Sequence, residues 1–160
     1  MKVLALDQAS RVSGYAVYDS KLLKCGHFEI KSSLPIEQRM QEFMVQLNRL
    51  YREYSFDELV FEDIQLQAGN VKTYKTLAYI QATIIIWCYN NDIKYHIYSP
   101  SHWRSVIKEK CGITFGRKRA EQKKAAQDFI KEKFNIDATE DESDACCIGY
   151  AYLLDNQSAF

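Results

Sequence analysis

The sequence lacks the cysteine spacing of a zinc site or of a disulfide framework. Its 160 residues contain five cysteines, an odd number, and no two of them form a Cys-x-x-Cys pair. This usage is typical of reduced core cysteines in a cytosolic protein, and the adjacent Cys146 and Cys147 are predicted to lie on a helix. A cysteine–histidine zinc site is therefore not expected.

Long hydrophobic runs are also missing. The longest, around Leu77 to Tyr89, is shorter than a membrane-spanning helix and contains Gln81. The N-terminal apolar run ends at Asp7 and is too short and too acidic for a signal peptide. Because 47% of the residues are hydrophobic and 26% are charged, we expect one globular domain over residues 1–160, in the cytoplasm and without a membrane partner.

Several catalytic motifs are absent as well. The chain has no GxSxG nucleophile elbow and no GxxxxGKS/T phosphate loop, and Ser101-His102 has no recognisable orienting acid. We therefore expect neither a serine triad nor a small-molecule cofactor. The opening strand–Asp–turn–strand pattern is also similar to the phosphate loops of sugar kinases and actin-like ATPases, but those proteins need two lobes and this chain has room for one.

The formal net charge is zero, which by itself argues against a nucleic-acid partner. The charges are segregated, however, and local fields matter more than net charge for steering a polyanion. Two interpretations stay open: a solvated surface, or a phosphate cradle beside a metal site. The basic cluster consists of Arg117, Lys118, Arg119, Lys123 and Lys124, and the acidic segment after it contains Asp137, Glu140, Asp141, Glu142 and Asp144.

The chain opens with a predicted strand from Met1 to Asp7. A short apolar run bounded by turn residues is typical of a strand that is buried on both faces of a central sheet. The segments Gly14 to Tyr18 and Leu22 to Ile30 are also rich in strand-forming residues, so three consecutive antiparallel strands are predicted. Gly14 is expected at a bend or at a close approach of two backbones.

A helix capped by Ser33 is predicted next, followed by a strand from Asp57 to Glu62. A strand that follows a long helix usually lies parallel to the strand before it, so we expect this strand to run parallel to the first. Glu62 would then end at the same edge of the sheet as Asp7. Ligands gather at the carboxyl ends of parallel strands, which makes this edge the candidate site. Taken alone, Asp7 could simply begin a turn.

The later elements add a possible interface and further acids. The helix from about Thr73 to Tyr89 is apolar on nearly all sides, which indicates deep burial or a contact in a homodimer. Ser99 is the predicted cap of a helix that follows a strand at Lys94 to Tyr98. Thr139 to Glu142 fits a capping box for the last helix, whose first turn carries Asp141 and Asp144 on one face. An acidic first turn is also common without any function.

If Asp7, Glu62, Asp141 and Asp144 converge, their like charges raise one another's pKa and oppose folding. A divalent cation would relieve this repulsion, and an all-carboxylate donor set suits Mg²⁺ or Mn²⁺ rather than zinc. Two such ions about 4 Å apart can activate a water and stabilise the leaving oxygen of a phosphodiester. Lysines nearby would bind the flanking phosphates. The pattern therefore predicts a nuclease.

The order of these motifs resembles the RuvC family of Holliday-junction resolvases, and it looks closest to the compact phage-type members. The residues concerned are Asp7, then Ser13-Gly14-Tyr15-Ala16, then Val60-Phe61-Glu62, then Asp141-Glu142-Ser143-Asp144-Ala145. The resemblance implies an α/β, RNase H-like fold with a mixed five-stranded sheet flanked by helices on both faces. It also implies a homodimer that nicks two strands of a four-way junction symmetrically, in DNA recombination or replication, and acts in the cytoplasm of a phage host.

The resemblance further implies site residues. Asp7, Glu62, Asp141 and Asp144 would be catalytic and would bind Mg²⁺, with Mn²⁺ as a substitute. Lys118 falls where the family carries a catalytic or phosphate-binding lysine. The candidate DNA-binding residues are Gln65, Asn70, Lys72, Lys75, Arg117, Lys118, Arg119, Lys123 and Lys124.

One departure from the family widens the predicted substrate range. Bacterial members place an aromatic residue shortly after the strand-end glutamate, where it wedges at the junction centre, but Asp63-Ile64-Gln65 contains none. Cleavage of other branched DNA is therefore expected too. Two alternatives stay open: an RNase H-fold nuclease acting on flaps or RNA–DNA hybrids, and a non-catalytic junction-binding protein.

Overall fold

The computed structural model describes residues 1–156. The predicted domain extends over residues 1–160, and its last four residues lie outside the described residues. Along the chain, the elements are β1 Lys2–Asp7, β2 Val12–Asp19, β3 Lys21–Glu29, α1 Ile36–Tyr54, β4 Glu58–Glu62, α2 Val71–Asn90, β5 Lys94–Tyr98, α3 Pro100–Cys111, α4 Arg119–Phe134 and α5 Glu140–Asp155.

The five strands form one mixed sheet in the order β3-β2-β1-β4-β5. The first three strands are antiparallel, and β4 lies parallel to β1 with Phe61 opposite Leu6. Both expectations from the sequence are thereby confirmed. Because β1 and β4 run in the same direction and in this register, Asp7 and Glu62 leave the sheet at the same edge.

Helices cover both faces of the sheet, as the family resemblance implied. The alternation of side chains along β1 divides the core in two, since successive residues of a strand point to opposite faces. Leu4 and Leu6 belong to the core beneath α1 and α2. Val3 and Ala5 belong to the core beneath α3, α4 and α5. None of the helices in the described part of the chain combines the length and hydropathy needed to cross a membrane.

The backbone at Gly14 makes the close approach that the sequence predicted. A Cβ atom added at Gly14 would lie only 2.0 Å from the carbonyl oxygen of Asp141, so only glycine allows α5 to begin this close to β2. The contact sets the first turn of α5 against the sheet beside the end of β1. The residue before α1 is Pro35 rather than Ser33, so the predicted serine cap is wrong: proline's fixed φ already directs the chain into the helix.

Candidate active site

Two strands and one helix bring the four predicted carboxylates to one place. Asp7 and Glu62 are the last residues of β1 and β4. The capping box at the start of α5 is present as predicted: the Glu142 amide donates to the Thr139 hydroxyl over 3.3 Å, and the Thr139 amide donates to the Glu142 carboxylate over 2.9 Å. This cap and the contact at Gly14 fix the helical turn that carries Asp141 and Asp144.

The carboxylates line an open cleft of about 790 Å³ at this edge of the sheet. Positive side chains surround them, as a polyanionic ligand would require. The cleft is lined by Asp7, Glu62, Asp141 and Asp144 together with Arg104, Arg117, Arg119 and Lys123.

Three of the carboxyl groups are largely removed from water. The side chains of Asp7 and Asp144 are 14% and 6% exposed. Burial raises the pKa of Asp7 well above its ordinary value, and the negative charge of Glu62 raises it further. Burial also raises the pKa of Asp144 and of Glu62, although Lys123 opposes the first shift and the indole of Trp103 opposes the second. The cluster is therefore electrostatically unfavourable as long as all its members are ionised.

Lys123 supplies the compensating charge. Its ammonium contacts the Asp144 carboxylate and lies 4.0 Å from the Asp7 carboxylate. Although burial lowers the pKa of Lys123, the charges of Asp144 and Asp7 raise it above its ordinary value. The lysine is thus held in its charged form inside the carboxylate cluster.

The donor set of the cleft fits a hard divalent cation. Its ligands would be carboxylate oxygens, which Mg²⁺ and Mn²⁺ prefer, and the buried Oε1 atom of Gln8 in the same cleft has no hydrogen-bond partner within residues 1–156. In the described part of the chain, no three acidic, histidine or cysteine side chains are grouped closely enough to hold an ion as they stand. Asp7 and Asp144, which contact the ammonium of Lys123 in this structure, would be among the residues that hold such an ion.

The structure separates the predicted DNA-binding residues into two groups. Gln65, Asn70, Arg117, Arg119 and Lys123 line the cleft, whereas Lys72, Lys75, Lys118 and Lys124 do not.

Lys118 is exposed immediately before α4, where its backbone amide donates to Glu121, and Lys124 pairs with Asp128 on the outer surface of that helix. Lys123 is thus the member of the basic cluster that reaches the carboxylates.

Sequence reasoning missed two residues that contact the cluster or its surroundings. The indole of Trp103 is fully buried and donates to the Glu62 carboxylate over 2.7 Å. The guanidinium of Arg104 stacks over the Trp103 ring at 4.7 Å and lines the cleft. The sequence pattern that could have indicated them is an aromatic residue next to a basic residue, near the start of a helix that follows a strand of the sheet.

His102 has an acidic partner that sequence reasoning did not find. Its Nε2 atom lies 2.8 Å from the Asp155 carboxylate, which also accepts a hydrogen bond from Tyr98. The Ser101 hydroxyl contacts Ser99 instead of the histidine. These contacts do not form a serine triad, because the serine does not contact the histidine.

The fold and site together define a class of protein: an RNase H-like α/β domain with a carboxylate cleft at the carboxyl ends of its parallel strands. The family model described as crossover junction endodeoxyribonuclease RuvC matches residues 3–151. The chain therefore belongs to the RuvC family of crossover junction endodeoxyribonucleases.

Individual relatives agree with this assignment, and solved structures agree with the fold. The RuvC endodeoxyribonucleases of Finegoldia magna and Caldicellulosiruptor saccharolyticus are each 26% identical to the chain, over 96% and 99% of its length and 93% and 95% of theirs. The structure of Thermus thermophilus RuvC in complex with a Holliday junction substrate aligns with a TM-score of 0.75 at 10% identity, covering 99% of this chain and 96% of that one. The fowlpox virus Holliday junction resolvase aligns with a TM-score of 0.65 at 17% identity, covering 97% and 99%.

We predict that Asp7→Asn stabilises the protein when no divalent metal is present. The substitution keeps the shape of the side chain but removes a buried charge, so the melting temperature in EDTA should rise by about 2–4 °C, corresponding to roughly 1 kcal/mol. Thermal denaturation by circular dichroism measures the effect.

The pH dependence of this gain tests its electrostatic origin. The pKa of Asp7 is raised in the folded state, so ionisation penalises folding only above the ordinary value of 3.8. The advantage of the asparagine variant should be absent below that pH and should grow as the pH rises towards neutral. An advantage that is equal at all pH values would contradict the electrostatic explanation.

We predict that Lys123→Gln reduces nuclease activity by about 10- to 100-fold, because the lysine contacts two of the carboxylates directly. Lys124→Gln is the matched control, since it removes the same charge from the next position of the same helix, on the outer surface. Lys118→Gln should also have a small effect. Initial cleavage rates measure the effect of all three substitutions. A loss of activity in Lys118→Gln equal to that in Lys123→Gln would favour the role that the family resemblance implied for Lys118.

Proposed function

We propose that this protein is a divalent-metal-dependent endonuclease that cleaves Holliday junctions by paired, symmetric phosphodiester hydrolysis, and that it also cuts other branched DNA. The observation that supports this function best is the group of three largely buried carboxylates, Asp7, Glu62 and Asp144, in an open cleft bordered by arginines. A cleft that only bound phosphates would gain nothing from buried negative charge. The non-catalytic alternative is therefore disfavoured.

The side chains divide the work by their chemistry. Asp7, Glu62, Asp141 and Asp144 would hold the ion, and family members depend on a divalent metal. We propose Mg²⁺, with Mn²⁺ as a substitute, because the donors are oxygens. When bound, the ion supplies an activated water and stabilises the leaving oxygen.

The remaining residues of the site position the carboxylates and the substrate. The indole of Trp103 holds one oxygen of Glu62 in place, so the carboxylate keeps its orientation in the cleft. Arg117 and Arg119 are exposed at the border of the cleft, where they would bind the phosphates on either side of the cleaved bond. Lys123 offsets part of the negative charge of Asp7 and Asp144, and its ammonium would also be placed to bind a phosphate in the cleft.

We predict that the wild-type protein nicks a labelled four-way junction in Mg²⁺ and that Asp7→Asn reduces cleavage to background while junction binding persists. The two products should come from symmetric positions on opposite strands. Gel assays with a linear duplex, a flap and an RNA–DNA hybrid complete the comparison. Equal cleavage of branched and unbranched substrates would favour the alternative, an RNase H-fold nuclease that acts on other nucleic acids. A protein that binds the junction but cleaves it with none of the metals would favour a structural junction-binding protein.

We also propose that the active form is a homodimer, because paired nicking needs two sites. The described residues carry one carboxylate cleft per chain. Apolar side chains remain exposed on the outer surface of α2 and on the edge strand β5, and such a surface is typical of a protein–protein contact. They are Tyr79, Ile86 and Tyr89 on α2, and Tyr95 and Ile97 on β5.

We predict that light scattering at micromolar concentration gives twice the chain mass of 18.7 kDa. Ile86→Glu should reduce the mass to that of one chain, because it places a charge on the proposed interface. Val45→Glu on α1 is the control: Val45 is 44% exposed and Ile86 is 50% exposed, but Val45 lies outside the interface. A wild-type protein with the mass of one chain would contradict the proposal. The cytoplasmic location and the phage origin stay predictions.

A further inference from the structure

A second cavity adjoins the cleft. It has a volume of about 490 Å³ and lies between α3 and the segment 114–117. We call it the α3 groove and define it by Ser101, Arg104, Ser105, Lys108, Phe115 and Arg117, which are among its lining residues. Ser101, Arg104 and Arg117 also line the carboxylate cleft, so the two cavities are joined.

The charged side chains that line the α3 groove are all positive: Arg104, Lys108 and Arg117. Within residues 1–156, none of them forms an ion pair with a carboxylate within 4.0 Å. The buried Nε atom of Arg104 has no hydrogen-bond partner among these residues either. Unpaired cations in a concave site attract an anionic ligand.

Glu109 and Glu121 lie beside the α3 groove, and both already have hydrogen-bond partners. Glu109 accepts a hydrogen bond from the Ser105 hydroxyl over 2.8 Å. Glu121 accepts hydrogen bonds from the backbone amides of Arg117 and Lys118, over 3.1 and 3.0 Å. Within residues 1–156, Glu121 binds these backbone amides and forms no ion pair with the guanidinium of Arg117, which is therefore available to a ligand.

The α3 groove is also in a fixed position relative to the carboxylates. Phe115, one of its lining residues, is buried and stacks edge-on against Trp103, with 5.3 Å between the ring centroids. The indole of Trp103 donates to Glu62. A ligand held against Arg104 and Phe115 is therefore positioned with respect to Glu62 through one continuous contact chain.

We propose that the α3 groove binds the phosphodiester backbone of the cleaved strand on one side of the scissile phosphate. The inference rests on the proposed function, because it extends the substrate from the carboxylate cleft into the joined cavity. A backbone that leaves the cleft passes Arg104 and Arg117, which line both cavities, and reaches Lys108 last. Positive grooves of this kind follow the backbone of a single strand without reading its sequence. Lys108 is therefore a binding residue and takes no part in the chemistry.

The test compares Lys108→Gln with Lys110→Gln. Both lysines lie exposed in the last turn of α3, so both variants lose the same charge at the same end of the helix, but Lys110 does not line either cavity. The Kd for a four-way junction is measured in EDTA at several KCl concentrations. Lys108→Gln should weaken binding and reduce the slope of log Kd against log salt by about 0.7–0.9, the value for one lost phosphate contact, and Lys110→Gln should leave the slope unchanged.

A neutral phosphate analogue locates the contact. Methylphosphonates are placed one at a time along the cleaved strand, and the loss of affinity is measured for the wild-type protein and for Lys108→Gln. At one position the methylphosphonate should weaken junction binding by the wild-type protein but not by Lys108→Gln, because the variant no longer contacts that phosphate.

Three outcomes would overturn the α3 groove as a strand-binding site. They are an unchanged salt slope in Lys108→Gln, equal effects in Lys108→Gln and Lys110→Gln, and no analogue position at which the wild-type protein and the variant differ. Binding in EDTA needs no cleavage, so a wild-type protein that binds the junction but never cuts it contradicts the proposed function alone.

Discussion

The repulsion among three largely buried carboxylates is the constraint on which the rest of this site depends. Burial raises the pKa of Asp7, Glu62 and Asp144. The negative charges of Glu62 and Asp144 raise the pKa of Asp7 further, and the charge of Asp144 raises that of Glu62. The fold tolerates the cluster because the ammonium of Lys123 lies inside it. A site that holds one cation by ionic attraction in this way is suited to exchange it for another.

The carboxylates are held together by strand pairing in the sheet and by the contact between α5 and β2. Parallel pairing of β1 and β4 aligns Asp7 with Glu62. The glycine at position 14 lets α5 begin against β2, which sets Asp141 and Asp144 opposite them. The arrangement needed for function therefore lowers the stability of the fold at this edge of the sheet, because the contacts that hold the carboxylates together also keep their like charges close.

Trp103 connects the carboxylate cleft to its surroundings. Its indole binds Glu62, its ring stacks on Phe115, and Arg104 lies over the ring. Trp103 thus orients the carboxylate of Glu62 and positions the guanidinium of Arg104, which lines both the carboxylate cleft and the α3 groove. The same arrangement makes this part of the site rigid, because each group restrains the next.

The sequence alone was sufficient for the sheet, for the direction of its strands and for the candidate acids, because hydrophobic runs, turn residues and a capping box are local signals. It favoured Lys118 over Lys123 and did not single out Trp103 or Arg104, since nothing local distinguishes one lysine of a basic helix from the next. Only the tertiary structure decided which cation enters the carboxylate cluster. That choice depends on how α4 is rotated against α5, and the rotation is set by packing between residues far apart in the chain.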